Sequence, residues 1–426
     1  MNQPLLIFLA TQNYKNLSSD DLDSAIELKN LNVFIGSNGS GKSNFINCLI
    51  FLKDCLTKIP DQNRGVSSFQ DAVSKIGADR ILDNSVESPA VVKLNYHFSL
   101  ISQNGKTHID NITLELKIYV DRKKNSVRIV DEILLGGKSD KLYSYSRKKE
   151  LCSVLVEGIP DLEDKYEEFN KISNKSLVFA ELSQILEKSK YPPEKIPVYK
   201  IRRDLVDFIS QWQFYNANNM DLHKIRTSEP KIGGTTIYLS PSGDNLPLVL
   251  ENLIAQDIEF EDIINQAMKS IFPKTRRLRP IRSGRLSLTI EWYFQDMEEP
   301  FYLSEMSDGT VRMLCWATIL HSPELPSLLV IDEPELGLHV SWMRILGEWI
   351  KRAARKTQII VTTHSPDLLD HFTDCLENVY CFATKDTQHF QMKKLSEEML
   401  SSKLEEGWEL GDLYRVGDPS IGGWPW

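Results

Sequence analysis

The chain has 426 residues, 41% of them apolar and 26% charged, with a formal net charge of −9. That length exceeds what one hydrophobic core usually supports, so two or three subdomains are expected, and the acidic balance argues against a generally basic nucleic-acid coat while leaving room for a local basic groove. The longest apolar runs, such as Leu5–Ala10 and Leu328–Ile331, are far too short to span a bilayer.

Met1-Asn2-Gln3-Pro4 lacks the charged start and apolar core of a secretory signal. The six cysteines (Cys48, Cys55, Cys152, Cys315, Cys375 and Cys381) form no C-x-x-C pair, and no histidine cluster has zinc spacing. A reduced, cytoplasmic protein is expected.

Leu5–Ala10 reads as a first strand and Asn13–Leu17 as a turn. Leu31–Ile35 is an apolar run that reads as a buried strand. It leads into Gly36-Ser37-Asn38-Gly39-Ser40-Gly41-Lys42-Ser43, which fits G-x-x-x-x-G-K-[ST]. Asn44 to Leu56 follows with apolar residues at helical spacing. Strand, glycine-rich loop and helix are the context that motif needs. The glycines let backbone N–H groups turn inward around a polyphosphate, and the helix N-terminus adds to the attraction. Asn38, Gly39, Ser40, Gly41, Lys42, Ser43 and Asn44 are the expected nucleotide contacts. Lys42 reaches the β- and γ-phosphates, and the Ser43 hydroxyl ligates Mg²⁺.

Lys58 to Ser88 is polar and poorly patterned. Val92–Leu100 and Ile112–Val120 alternate cleanly and flank Asn104-Gly105, which predicts a long antiparallel hairpin with one wet face. From 136 to 229 the texture is charge-rich, broken at Pro192-Pro193, and reads as a helical insertion. It holds no sustained heptad, so no long coiled coil is expected. Ile237–Leu239 reads as a strand, Leu246–Ile271 as an amphipathic helix and Leu286–Phe294 as another alternating strand. The expected division is thus 1–135, 136–229 and 230–426.

The last third carries further chemistry. Leu328–Ile331 delivers Asp332 and Glu333 to the C-terminal end of a buried strand, where ligands bind in an open α/β sheet. Asp332 suits the Mg²⁺ shell and Glu333 suits orienting and deprotonating an attacking water. Ser304–Thr310 is a turn at the start of an apolar helix, an anion site by geometry. Gln358–Thr362 is a second buried strand, which aims His364 at the same sheet edge.

Phosphate loop, Ser307-Asp308-Gly309 turn, Asp-Glu strand and strand-His, in that order, resemble the ABC-type ATPases. The resemblance is to the branch containing RecF, the SMC proteins and the ATPase half of the OLD nucleases, and it covers roughly residues 5–60 and 300–385. It implies an α/β head of mixed antiparallel and parallel sheets with helices, using ATP and Mg²⁺. It also implies that Ser307 and the Gly309 backbone contact the γ-phosphate bound by another copy, in a homodimer or higher homo-oligomer, and that His364 senses that phosphate. Glu333, His364 and Lys42 are then the catalytic set.

Two departures stand out. Asp308 replaces the first glycine of the transporter-type signature, and His339 stands where many relatives carry an aspartate. Gln70 is the nearest candidate for a Q-loop, and Tyr14 or Lys15 for adenine contact or plain strand-end packing.

Lys269 to Arg285, with Arg276, Arg277 and Arg279 at its centre, holds seven cations and no acid. It reads as a contact for DNA or RNA phosphates, as a solvated connection broken by Pro273 and Pro280, or as a face for an acidic partner. Trp408, Tyr414, Trp424 and Trp426 are a docking tail or pack on their own core. About 60 residues follow His364 without an Asp-x-Asp run, so no fused Toprim nuclease is expected. Resemblance to stand-alone ATPases of phage-defence operons instead implies a separate effector protein, a Toprim-type nuclease being one class. A RecF-like DNA clamp and a slowly hydrolysing scaffold are the alternatives.

Overall fold

The computed structural model describes residues 5–17, 27–57, 67–99, 111–137, 141–158, 166–172, 176–384 and 390–421. Asn104-Gly105, Leu100, Trp424 and Trp426 lie outside the described residues. The chain forms two compact units, each assembled from separate pieces: 1–29, 36–212 and 381–394 in the first; 30–35, 213–380 and 395–426 in the second.

The first unit is built on a seven-stranded antiparallel sheet. Its order is Leu5–Gln12, Ala90–Ser99, Ile112–Asp121, Ser126–Leu135, Lys141–Ser146, Leu151–Leu155 and Tyr166–Asn170. The expected hairpin is there, Val92 facing Ile118 and Tyr96 facing Leu114. Alternation puts Val92, Leu94, Tyr96 and Phe98 on one buried face with Ile112, Leu114, Leu116 and Ile118. Each such side chain contributes about 1.5–3 kcal/mol on burial. That face packs on the phosphate-loop helix Lys42–Thr57, whose Cys48 carbonyl accepts a 2.8 Å bond from the Tyr96 hydroxyl. Phe98 also meets the rings of Phe208 and Trp212.

Helical character in 136–229 holds from Val178 onward, in Val178–Leu186, Pro197–Ser210 and Leu222–Thr227. Before it stand three strands of the sheet just described. Their alternation is short, and the charged turn Arg147–Glu150 between two of them dominates the local composition. The helix Val178–Leu186 has no capping side chain of its own at Leu177. Glu132 supplies the cap from a strand, accepting the Val178 and Phe179 N–H groups at 2.8 Å each and the Tyr143 hydroxyl at 3.1 Å.

The second unit is built on parallel strands. Leu31–Ile35, Gln358–Thr362, Leu328–Asp332 and Gln213–Asn216 lie side by side in that order. Leu31–Ile35, Gln358–Thr362 and the apolar part of Leu328–Asp332 are wholly buried, which explains why they are mainly apolar rather than alternating. Asn32 is the buried exception, and its amide donates to the Ile359 carbonyl at 3.0 Å. Ile237–Leu239, expected as a strand, is irregular: the Asn245 side chain takes the Ser240 N–H and the Tyr238 carbonyl that a ladder would need. Leu246–Ile271 is two helices, Leu246–Gln256 and Glu259–Ile271, separated at Asp257-Ile258.

Candidate functional site

Within the first unit, Gly36 has φ +144° and a Cβ there would lie 2.7 Å from the Phe382 carbonyl oxygen, so only glycine fits the entry to the loop. Gly41 has φ +100°, and a Cβ there would lie 2.7 Å from the Leu17 side chain. Lys42 is buried, its ammonium donating to the carbonyls of Gly36 (2.7 Å) and Ser37 (3.1 Å) and to Ser40 Oγ (3.4 Å). Asn38, Gly39 and Ser43 are exposed. The loop has a brace that sequence reasoning missed. Asn16 donates to the Gly39 carbonyl at 2.8 Å and accepts from the Asn44 amide at 2.6 Å. Its place in the turn Asn13–Leu17 was the available signal. Tyr14, in the same turn, is buried as strand-end packing, and Gln70 closes a capping box with Ser67.

In the second unit the parallel register carries Phe34, Asp332 and Thr362 to one sheet edge. Asp332 accepts from the Asn216 amide at 2.5 Å and from the Thr362 hydroxyl. Glu333 adopts φ +52°, a left-handed conformation that costs an ordinary residue roughly 1–2 kcal/mol. Two bonds from its N–H hold it there, to the Thr362 carbonyl (3.1 Å) and hydroxyl (3.2 Å). The Glu333 carboxylate lies 3.7 Å from His364 Nε2 and accepts from Asn218 at 3.4 Å. Asn216 and Asn218, at the end of the short strand Gln213–Asn216, are thus site residues the sequence did not single out.

Glu335 is the other one. Its Oε1 accepts from the Thr363 hydroxyl (2.7 Å) and from the N–H groups of His364 (2.8 Å) and Ser365 (3.1 Å). Burial pushes its carboxyl above the usual range. Tyr414, expected either in a docking tail or on its own core, is buried and places its hydroxyl 3.2 Å from His364 Nδ1.

Ser307 caps the helix Asp308–Leu320 through the Thr310 N–H at 3.3 Å. Asp308, in place of a glycine, pairs with Arg226 at 2.5 Å, and Arg226 also donates to the Met306 carbonyl at 2.8 Å. His339 caps Val340–Trp342 through Ser341.

The basic stretch is a strand, Thr275–Ser283, not a loose connection; Pro280 sits opposite Ile290. Arg277 pairs with Glu261 at 2.6 Å and Arg279 with Glu291 at 3.6 Å, while Arg276 lies over the Tyr293 ring. The surrounding groove is therefore of mixed charge rather than a basic track.

The chain also matches a family model described as "AAA domain, putative AbiEii toxin, Type IV TA system" over residues 31–370. It belongs to that family. The match runs from the phosphate-loop strand past His364. Among curated proteins, "Retron Vc95 probable ATPase" of Vibrio cholerae serotype O1 biovar El Tor is 22% identical over 382 residues, covering 81% of this chain and 68% of that protein. Two solved structures share the fold. A Smc head bound to the C-winged helix domain of ScpA is 13% identical at a TM-score of 0.51, covering 92% of this chain and 98% of that one. A Smc head with an extended coiled coil, bound to the C-terminal domain of ScpA from Pyrococcus furiosus, is 12% identical at 0.50, covering 95% and 99%. The chain is a P-loop member of that AAA-domain family with an SMC-head-like fold of mixed sheets and helices, and no long coiled coil occurs among the described residues. No helix among them is long and apolar enough to cross a membrane.

The residues present fit ATP and Mg²⁺. Lys42 spends its charge on loop carbonyls that a phosphate can replace, and both Asp332 oxygens keep lone pairs beyond their single bonds. No cluster of three or more His, Cys, Asp or Glu suited to a metal occurs among the described residues. A cation held at Asp332 would complete its shell with phosphate and water, as Mg²⁺ does.

Proposed function

We propose that this protein binds and hydrolyses ATP at interfaces between its own copies, and that the closure ATP drives is passed to a separate effector protein in anti-phage defence. The observation that carries the hydrolytic part is Glu333. It is held in a left-handed backbone beside Asp332, with His364 at 3.7 Å and Asn218 on its carboxylate. A strained, doubly anchored carboxylate next to a metal-suited one is an arrangement for orienting water. Mg²⁺, when bound, neutralises charge on the phosphates. Lys42 holds the terminal phosphoryl, Glu333 takes the water's proton, and Ser307 with the Gly309 N–H from another copy closes the site.

The biological setting is supported by the names of the relatives: a toxin–antitoxin system in the family description and a retron ATPase in Vibrio cholerae. A RecF-like DNA clamp has less support, because Arg277 and Arg279 are paired with carboxylates of their own chain. The test is steady-state turnover of wild type and Glu333→Gln. Turnover is expected in the first and ATP retained without release of phosphate in the second. Wild-type turnover in Glu333→Gln overturns the role of that carboxylate, and negligible turnover in both favours a scaffold.

A further inference from the structure

We infer that Arg312 is a positioning residue tying the Ser307 turn, which a second copy would read, to the chain's own Asp332–Glu333 end. Nucleotide engagement by one copy then tunes turnover in the other. The inference rests on the interfacial site proposed above.

Arg312 lies on the helix that Ser307 caps. Its Nη1 donates at 3.0 Å to the Ala217 carbonyl and at 3.0 Å to the Leu336 carbonyl. Ala217 stands between Asn216, which holds Asp332, and Asn218, which reaches Glu333. The Leu336 N–H in turn donates to the Glu333 carbonyl at 3.2 Å. One guanidinium group therefore grips the backbone on both flanks of the catalytic pair. Its Nε is buried with no hydrogen-bond partner, so these two carbonyls are what fix its plane.

The first turn of the helix is also seated without slack. A Cβ at Gly309 would lie 3.0 Å from the Trp342 ring and 3.2 Å from the Gly337 carbonyl oxygen. A displacement of Ser307 and Gly309 by a second copy's phosphate cannot be absorbed locally and moves Arg312 with them. His339 is occupied in capping Val340–Trp342, so the Arg312 route does not pass through it.

The test measures turnover against ATP concentration for wild type, Arg312→Ala and Arg312→Lys, with ATP-induced assembly of each read in a Glu333→Gln background. Wild type is expected to be cooperative. Arg312→Ala should assemble with ATP as its parent does and bind ATP within about twofold, while kcat falls about five- to tenfold and the Hill coefficient drops to about 1. Arg312→Lys, whose ammonium restores one of the two bonds, should recover part of both. A folded Arg312→Ala protein with wild-type kcat and cooperativity overturns the tie. Should that variant not fold, unchanged cooperativity in Arg312→Lys overturns it equally. If the Glu333→Gln parent itself fails to assemble on ATP, the interfacial reading is what falls, and the tie with it.

Discussion

The hydroxyl of Tyr414 stands 3.2 Å from Nδ1 of His364, whose other ring nitrogen is 3.7 Å from the Glu333 carboxylate. A residue near the end of the sequence thus sits behind the histidine that faces Glu333. Arg415, its neighbour, anchors the same short helix to Asp367 at 2.6 Å and Asp370 at 3.2 Å. Tyr414→Phe keeps the packing and removes one hydrogen bond, worth about 1 kcal/mol. The expected outcome is a kcat reduced about fivefold with the Kd for ATP unchanged, read by turnover alongside a fluorescent-nucleotide titration. An unchanged kcat would show that His364 needs no support from this side.

Asn216 donates to a carboxylate suited to the cation, and Asn218 to the one suited to the water. Removing a hydrogen bond to a charged group costs about 1.5–3 kcal/mol. Asn216→Ala should therefore raise the Mg²⁺ concentration needed for half-maximal turnover by roughly tenfold or more. Asn218→Ala, which loses only a 3.4 Å contact, should lower kcat a few-fold without moving the Mg²⁺ requirement. A Mg²⁺ titration of both variants separates the two roles. Equal effects from both would mean the turn acts as a single structural piece.

Glu132 links stability to pH. Burial raises its pKa from 4.5 to about 7, against the lowering effect of the bonds from Phe179, Val178 and Tyr143. The folded protein keeps the carboxyl protonated where the unfolded chain has already released the proton, so folding takes one up in that window. The resulting stabilisation is complete below about pH 4.5 and is lost as pH rises through about 7, on the order of 3 kcal/mol in all. Urea midpoints of wild type and Glu132→Gln should show a gap between the two proteins that changes steadily from pH 5 to 8. A gap constant with pH would contradict a perturbed Glu132.

Much of the site was legible because its parts are local in sequence. Leu31–Ile35 and Gln358–Thr362 were readable as buried strands from their mainly apolar residues, Lys42 and Ser43 from the glycine-rich loop that follows the first, and Asp332 and Glu333 from what directly follows Leu328–Ile331. The residues that hold them were not legible. Asn16 braces the phosphate loop across a gap in sequence, Asn216 and Asn218 reach Asp332 and Glu333 from a four-residue strand, and Tyr414 arrives from the far end. A single Asn or Tyr carries no spacing signal, so only the tertiary fold reveals such partners. The strands within 141–170 were hidden for a related reason: their pairing is decided by a sheet already formed, while the turn Arg147–Glu150 carries charge. The basic run misled in the opposite direction, since the acids that neutralise it, Glu261 and Glu291, lie outside the stretch read as a unit.

The central claim is that Lys42 of one copy and Ser307 of another hold the same terminal phosphoryl group. Sedimentation velocity on Glu333→Gln, with and without ATP and Mg²⁺, tests it when repeated with Lys42→Ala and with Ser307→Arg. The account predicts an ATP-dependent rise in mass that both added substitutions abolish, with Ser307→Arg still binding ATP as the smaller species. A Ser307→Arg protein that assembles on ATP as fully as its parent would contradict it.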